Sequence, residues 1–200
     1  VFGLDEAGRG TWAGPVVAGA VCLPPDQDGL REVLAGVRDS KTMTPRQRSR
    51  LAETIHSTAI AYGIGQASSA EIDAIGIVPA TRLAMQRALE AAGCLPDYLL
   101  LDSIHWPDLT IPHQSIVKGD ALSLSIASAS VLAKVYRDDL MREYDQQYPG
   151  YGFGQHKGYG TSEHQRALQK QGACAIHRQS FAPIRNLEIR QSPLPGEMMP

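Results

Sequence analysis

Four carboxylates fall where regular structure stops. Asp5 closes the short apolar segment Phe2 to Asp5, and Glu6 follows it at once. Asp102 closes the run Tyr98-Leu99-Leu100-Leu101, and Asp120 stands just ahead of a long helical stretch. Side chains at the ends of neighbouring parallel strands reach the same edge of an open α/β sheet, where such folds bind ligands. Four acids in one cleft would raise each other's pKa unless a cation lay between them. Carboxylate oxygens are hard ligands that suit Mg²⁺ or Mn²⁺ and not zinc. Two such ions roughly 3.5–4 Å apart can serve both the attacking and the leaving oxygen of a phosphodiester. Taken singly, each acid is more often a turn former, and Asp120 could simply cap its helix. Position alone leaves both readings open.

The elements that must position these acids alternate between strand and helix. Phe2 to Asp5 is a strand, Gly8-Arg9-Gly10 a turn, and Pro15 to Leu23 a second strand of small residues; Asp28-Gly29 then breaks the chain. Thr44 caps a helix that opens on Pro45, with Gln47 completing a capping box and Leu51, Ala52, Ile55 and Ala59 forming its apolar stripe. Ile60 to Gln66 is a strand. Met85, Ala88, Leu89 and Ala92 share one face of a helix that Gly93 ends. Tyr98 to Leu101 has the continuous apolar character of a strand buried on both faces, and Ser115 to Val117 is a further strand. One long helix is predicted from Ala121 to about Tyr144, then a loop rich in Gly and aromatics from Tyr148 to Gly160. A last helix runs from Thr161 to Gln171. The predicted fold is a mixed-sheet α/β domain over residues 1–190, with residues 191–200 a frayed tail holding three prolines.

Composition narrows the class without naming it. The 200 residues suit one core-forming domain, and 43% apolar content is ordinary for a globular protein. A net charge of −2 carries no whole-molecule signature of nucleic-acid binding, although ions bound at the acids would change the balance locally. Cys22, Cys94 and Cys174 are odd in number and widely spaced, which fits reduced thiols in the cytoplasm and neither a disulfide framework nor a zinc site. No apolar run approaches a membrane span and no signal peptide is visible. The chain opens without methionine, so a few residues are expected to precede it.

Short motifs decide between the two readings of the acids. Gly3-Leu4-Asp5-Glu6-Ala7-Gly8-Arg9-Gly10, then Ala13-Gly14-Pro15-Val16-Val17 and Asp39-Ser40-Lys41, resemble the opening of ribonuclease HII. Leu101-Asp102-Ser103, Lys118-Gly119-Asp120, Ala127-Ser128-Ala129-Ser130, Ala133-Lys134-Val135 and Arg137-Asp138 continue the pattern. His156-Lys157-Gly158-Tyr159-Gly160-Thr161, Glu163-His164, His177-Arg178 and Ser180-Phe181 complete it, in family order from residue 3 to about residue 185. Thr11-Trp12 stands where Pro-Leu is usual, and Ser103 where bacterial members usually carry Gly.

The resemblance implies a ribonuclease H-like fold: a mixed five-stranded sheet flanked by helices, with a C-terminal helical part, about residues 145–190, that helps hold a duplex. It implies that Asp5, Glu6, Asp102 and Asp120 are the catalytic, metal-binding acids, with Asp5 bridging two Mn²⁺ or Mg²⁺ ions. The implied substrates are RNA–DNA hybrids and DNA duplexes containing ribonucleotides, cut to leave 5′-phosphate and 3′-hydroxyl ends, by a cytoplasmic monomer. Gly8, Arg9, Gly10 and Tyr159 would sense the 2′-hydroxyl, which distinguishes RNA from DNA. Lys41, Lys118, Lys134, Lys157, Arg178 and Arg185 are expected phosphate contacts, although a lone basic residue is more often just solvated. His156, His164 and His177 lack zinc spacing and are expected to hydrogen-bond or meet phosphate. Asp138 lies 18 residues after Asp120, some 27 Å along a straight helix at roughly 1.5 Å per residue, and is either solvated or a support for the site.

Three other readings compete. Another nuclease or recombinase on this fold would share the acids but cut all-DNA duplex. A binding module would hold hybrid and release no product with Mn²⁺. The sister family ribonuclease HIII normally carries an N-terminal domain, for which this sequence has no room before Asp5.

Overall fold

The computed structural model describes residues 1–25, 29–37, 40 and 43–191, the last four by backbone alone. Lys41, the turn at Asp28 and the tail beyond Gln191 lie outside the described residues. Five strands form one sheet: β1 (Phe2–Ala7), β2 (Val16–Cys22), β3 (Ala61–Ala67), β4 (Leu99–Asp102) and β5 (His113–Ile116), in the order β3-β2-β1-β4-β5. β1 pairs antiparallel with β2, and β2 with β3, whereas β4 and β5 run parallel to β1. The sheet is therefore mixed, as the sequence predicts. The parallel register sets Leu4 opposite Leu101, which brings Asp5 and Asp102 to the same edge.

Helices cover both faces. α1 (Leu30–Val33), α2 (Pro45–Thr58), α3 (Ser69–Ile75) and α4 (Ile77–Ala92) precede β4. On one face Phe2, Leu4, Leu99 and Leu101 pack against Ala80, Ala84, Met85 and Ala88 of α4. Each large apolar side chain buried there contributes roughly 1.5–3 kcal/mol relative to exposure. The other face is covered by α6 (Leu124–Gln147), which follows the single turn α5 (Gly119–Leu122). α6 lies close because Gly3 and Gly19 face it: a Cβ there would meet Ile126 N at 2.3 Å and Ala129 O at 2.5 Å. α7 (Phe153–His156), α8 (Ser162–Gln171) and α9 (Ala182–Gln191) build a third apolar cluster, in which Phe153, Leu168 and Ile184 close around Ala13 and Met141. No helix among the described residues is long and apolar enough to cross a membrane.

Several local expectations hold and several do not. Thr44 caps α2 with the capping box in place, Gly93 ends α4 at φ 71°, and Thr161 caps α8. The helix predicted over Ala121 to Tyr144 is two helices, because Ser123 leaves helical geometry and its hydroxyl accepts from Ile126 N to start α6 anew. Asp120 thus sits inside α5, and the N-cap of α6 is Ser123. α3 escapes the periodicity argument because it spans only seven residues, although its capping box of Ser68 and Glu71 is legible. Leu100 is half-buried where full burial was expected, since α6 covers β1 and β2 more than β4.

Candidate active site

β1, β4 and α5 deliver three carboxylates to one point. Oxygens of Asp5, Asp102 and Asp120 all lie within 4.8 Å of one another. Asp102 and Asp120 are linked by backbone: Gly119 N donates to Asp102 Oδ1 at 2.8 Å, and Ser103 N donates to Ile116 O at 3.1 Å. The chain turns sharply on both sides of this link, with Ser103 at φ 52° and Lys118 at φ 55°. Left-handed geometry at a non-glycine residue costs roughly 1–2 kcal/mol. Ser103 therefore stands where glycine would be relaxed, and its hydroxyl reaches Asp102 Oδ1 at 3.3 Å.

Burial pushes the Asp5 carboxyl well above its usual pKa, with Glu6 and Asp102 adding repulsion and the Ser130 hydroxyl opposing them. Such a cluster fits a divalent cation, whose charge would relieve both the desolvation and the repulsion. Glu6, next in the chain, lies close enough to Asp5 for its charge to act on it. Adjacent residues of a strand face opposite ways, and Glu6 Oε1 lies 3.3 Å from Arg9 Nη1. Three of the four expected acids thus meet in one tight cluster, with Glu6 adjoining it. A groove of about 500 Å³ between Gln86, Leu95 and Trp106 lies at the opposite end of β4. At the triad Asp5 and Asp120 are buried and Asp102 half-buried, and Asp120 also lines a cleft of about 340 Å³ with Leu34, Ser123 and Ala127.

Two buried arginines shape the Gly8-Arg9-Gly10 turn. Arg178 is fully buried: its Nη2 donates to Gly8 O at 2.7 Å, its Nη1 to Arg9 O at 2.9 Å and its Nε to Gly14 O at 3.0 Å. The expected phosphate contact is placed as a clamp on the turn, because the guanidinium is buried and spends four of its five N–H groups on these carbonyls. Burial lowers the Arg178 pKa to about 9, with nearby Arg137 adding to it. Arg137 is as deeply buried and donates to Pro15 O, Lys157 O, Ala13 O and Thr11 Oγ1 at 2.9–3.1 Å. The unusual Thr11 is thus an acceptor that proline could not supply. Gly8 adopts φ 94°, and a Cβ there would strike Arg137 Nε at 2.1 Å. A Cβ added at Gly10 would meet nothing within 4 Å. Sequence reasoning assigned Arg137 no role, though it stands in the quoted motif.

The loop bearing Tyr159 is stitched to this turn, since Trp12 N donates to Gly158 O at 2.8 Å. Lys157 holds the loop from within: it stands at φ 53°, and its ammonium donates to Gly154 O. Tyr159 remains 42% exposed. Behind it the three histidines hydrogen-bond, and none is placed for phosphate. Cys174 N donates to His177 Nδ1 at 2.9 Å, His164 and His177 share one hydrogen between Nε2 atoms 3.0 Å apart, and His164 Nδ1 donates to Tyr159 O at 3.0 Å. His156 accepts from Gly158 N and donates to Tyr151 O. Burial lowers the pKa of His164 and His177 to about 4 each. A histidine kept neutral by the fold contributes stability above its unfolded pKa of about 6.5, which is lost as pH falls towards the folded value. The melting temperature should therefore drop between about pH 6.5 and pH 4, and His177→Gln should lessen the drop. A melting temperature unaffected by His177→Gln across this range would remove the relay from the account.

Asp138 is not solvated. It is 6% exposed and paired to Lys134 and Arg48. Asp73 of α3 is a support that sequence reasoning missed: it accepts from Gln179 N, Ser180 N and the Ser180 hydroxyl, fixing the chain just after Arg178.

A model of the family described as Ribonuclease HII matches residues 2–184. The chain belongs to the ribonuclease HII family. A ribonuclease HII of Dehalococcoides mccartyi is 51% identical over 187 residues, 94% of this chain and 88% of that protein. One from a Synechococcus species is 54% identical over 188 residues, 94% of this chain and 84% of the relative. The crystal structure of the ribonuclease H2 from Pyrococcus horikoshii matches with a TM-score of 0.76 at 25% identity, over 94% of this chain and 97% of that one. A Bst ribonuclease HIII structure matches at 0.72 and 19% identity, over 94% of this chain and 69% of that one, a likeness of fold alone. As a ribonuclease HII the chain is a metal-dependent endoribonuclease of the ribonuclease H type, acting on RNA–DNA hybrids. The binding-module and ribonuclease HIII readings fall with that result.

Proposed function

We propose that this ribonuclease HII incises DNA duplexes 5′ to a single embedded ribonucleotide, as well as cutting continuous hybrids, and leaves 5′-phosphate and 3′-hydroxyl ends. The observation that carries the reading is the carboxylate triad of Asp5, Asp102 and Asp120, gathered at one edge of the sheet. Two ions of Mg²⁺ or Mn²⁺ held there would supply an activated water and stabilise the leaving oxygen. Asp5 is buried at the end of the central strand and is the acid best placed to be shared. Glu6, beside the triad and paired with Arg9, is proposed as the fourth metal-binding acid.

Recognition of the ribose belongs to the turn and to Tyr159. Gly8 lets Arg137 and Arg178 set the turn's shape, and Gly10 leaves the space in which a sugar can approach. The exposed Tyr159 ring can stack on a neighbouring deoxyribose while its hydroxyl approaches the 2′-oxygen. Lys41 is proposed as a phosphate contact, and residues of about 145–190 as the part that steadies the duplex. The whole is proposed to act as one domain over residues 1–190 and as a monomer.

A gel assay on three labelled duplexes tests the reading: all-DNA, all-DNA with one ribonucleotide, and continuous RNA–DNA hybrid. The expected result with Mn²⁺ is one cut on the 5′ side of the ribonucleotide, cutting along the hybrid and none of the all-DNA duplex. Cutting the hybrid while leaving the single ribonucleotide intact would confine the enzyme to hybrids and overturn the proposal.

A further inference from the structure

We infer that Lys134, held in place by Asp138, is a positioning residue for Tyr159 and so sets the preference for a lone ribonucleotide. The inference rests on the reading of Tyr159 given above. Ser130, Lys134 and Asp138 follow one another at four-residue steps on α6, so they share a stripe of that helix. The stripe begins at Ser130, whose hydroxyl lies 2.9 Å from that of Ser40 and acts on Asp5. One turn on, Lys134 Nζ stands over the Tyr159 ring at 6.0 Å from its centroid. One more turn on, Asp138 Oδ1 accepts from that ammonium at 2.6 Å.

Helix stability does not account for this pair. A lysine N-terminal to its acid is the less favourable order along a helix. Both groups are largely buried, where an ion pair gains little over apolar packing. What the pair does accomplish is geometric. A lysine carries a long stem with many rotamers, and Asp138 selects the one that sets the ammonium over the aromatic face. The other Asp138 oxygen takes Arg48 Nη2 at 3.2 Å, and Arg48 Nη1 donates to Ser40 O at 2.9 Å and Met43 O at 2.5 Å. Asp138 is thereby fixed from the far side and cannot follow the lysine. Tyr159, 42% exposed, keeps a surface for substrate while the ammonium holds the ring from beneath.

The test compares kcat/KM on duplex with one ribonucleotide against continuous hybrid, in wild type, Tyr159→Ala, Lys134→Met and the double variant. Asp138→Asn is a weaker probe, because it leaves two buried cations unbalanced and can fail to fold. Lys134→Met leaves Asp138 matched with Arg48. Lys134→Met should lower the ratio about threefold, the scale of a partly exposed cation–π contact. Added to Tyr159→Ala it should lower the ratio no further, and Lys134→Arg should restore it, since a guanidinium also spans to Asp138 and stacks on the ring. A ratio that Lys134→Met lowers equally with and without the Tyr159 ring would mean that Lys134 acts on substrate directly, and would overturn the inference. So would a Lys134→Met ratio equal to wild type while Tyr159→Ala alters it, a result that leaves the Tyr159 reading standing. If Tyr159→Ala itself leaves the ratio unchanged, both the reading of Tyr159 and the inference built on it fall.

Discussion

Asp5→Asn and Asp102→Asn should each abolish cleavage while leaving the fold intact. Each substitution keeps the size of the side chain and removes the negative charge that faces the other two acids. Stabilisation of transition-state charge by a bound ion is worth several kcal/mol, so its loss costs roughly a thousandfold or more in kcat. Stability should move the other way at Asp5. Burial, Glu6 and Asp102 disfavour its charged form, so Asp5→Asn should melt at or above the wild-type temperature without metal. Mn²⁺ should raise the melting temperature of wild type by mass action, and this rise should shrink in the variant. Near-normal turnover in either variant with both Mg²⁺ and Mn²⁺, checked by single-turnover kinetics, would return these acids to the status of turn formers.

Arg178→Met should be the most destabilising single change near the site. It strips hydrogen bonds from the buried carbonyls of Gly8, Arg9 and Gly14, each worth about 1–3 kcal/mol when left unsatisfied. Removing a buried guanidinium recovers part of this, so a net loss of about 3 kcal/mol is expected in urea unfolding. Cleavage should fall as well, because the turn proposed to meet the ribose loses its shape. A phosphate contact would behave differently: stability would be unchanged, KM would rise, and the salt dependence of binding would flatten. Unfolding midpoints measured beside KM at two salt concentrations separate the two roles for Arg178.

The strands and the acids were legible because their signals are local. Leu99 to Leu101 are apolar in a row and Asp102 ends them; Thr44, Pro45 and Gln47 carry the start of α2 in their own side chains. Periodicity could not show the break at Ser123, since a serine is tolerated inside a helix and its capping of Ile126 depends on where α5 must point Asp120. The resemblance counts Glu6 as a fourth acid, and the pairing of its carboxylate with Arg9 in this structure was not legible from the motif. Arg178 illustrates the hardest kind of residue to read. Nothing in a sequence tells a buried guanidinium from a surface one; the carbonyls it serves lie about 165 residues away in the chain. The same holds for Asp73, which meets Gln179 and Ser180 only in the folded molecule.

Everything proposed about catalysis depends on the triad holding metal. Crystals soaked in Mn²⁺ and measured at a wavelength where manganese scatters anomalously would locate the ion without reference to activity. The expected result is an anomalous peak within coordination distance, roughly 2.0–2.6 Å, of oxygens from Asp5, Asp102 and Asp120 together. It should vanish in crystals of Asp5→Asn. Manganese peaks confined to other surface carboxylates, with none between these three, would contradict the assignment.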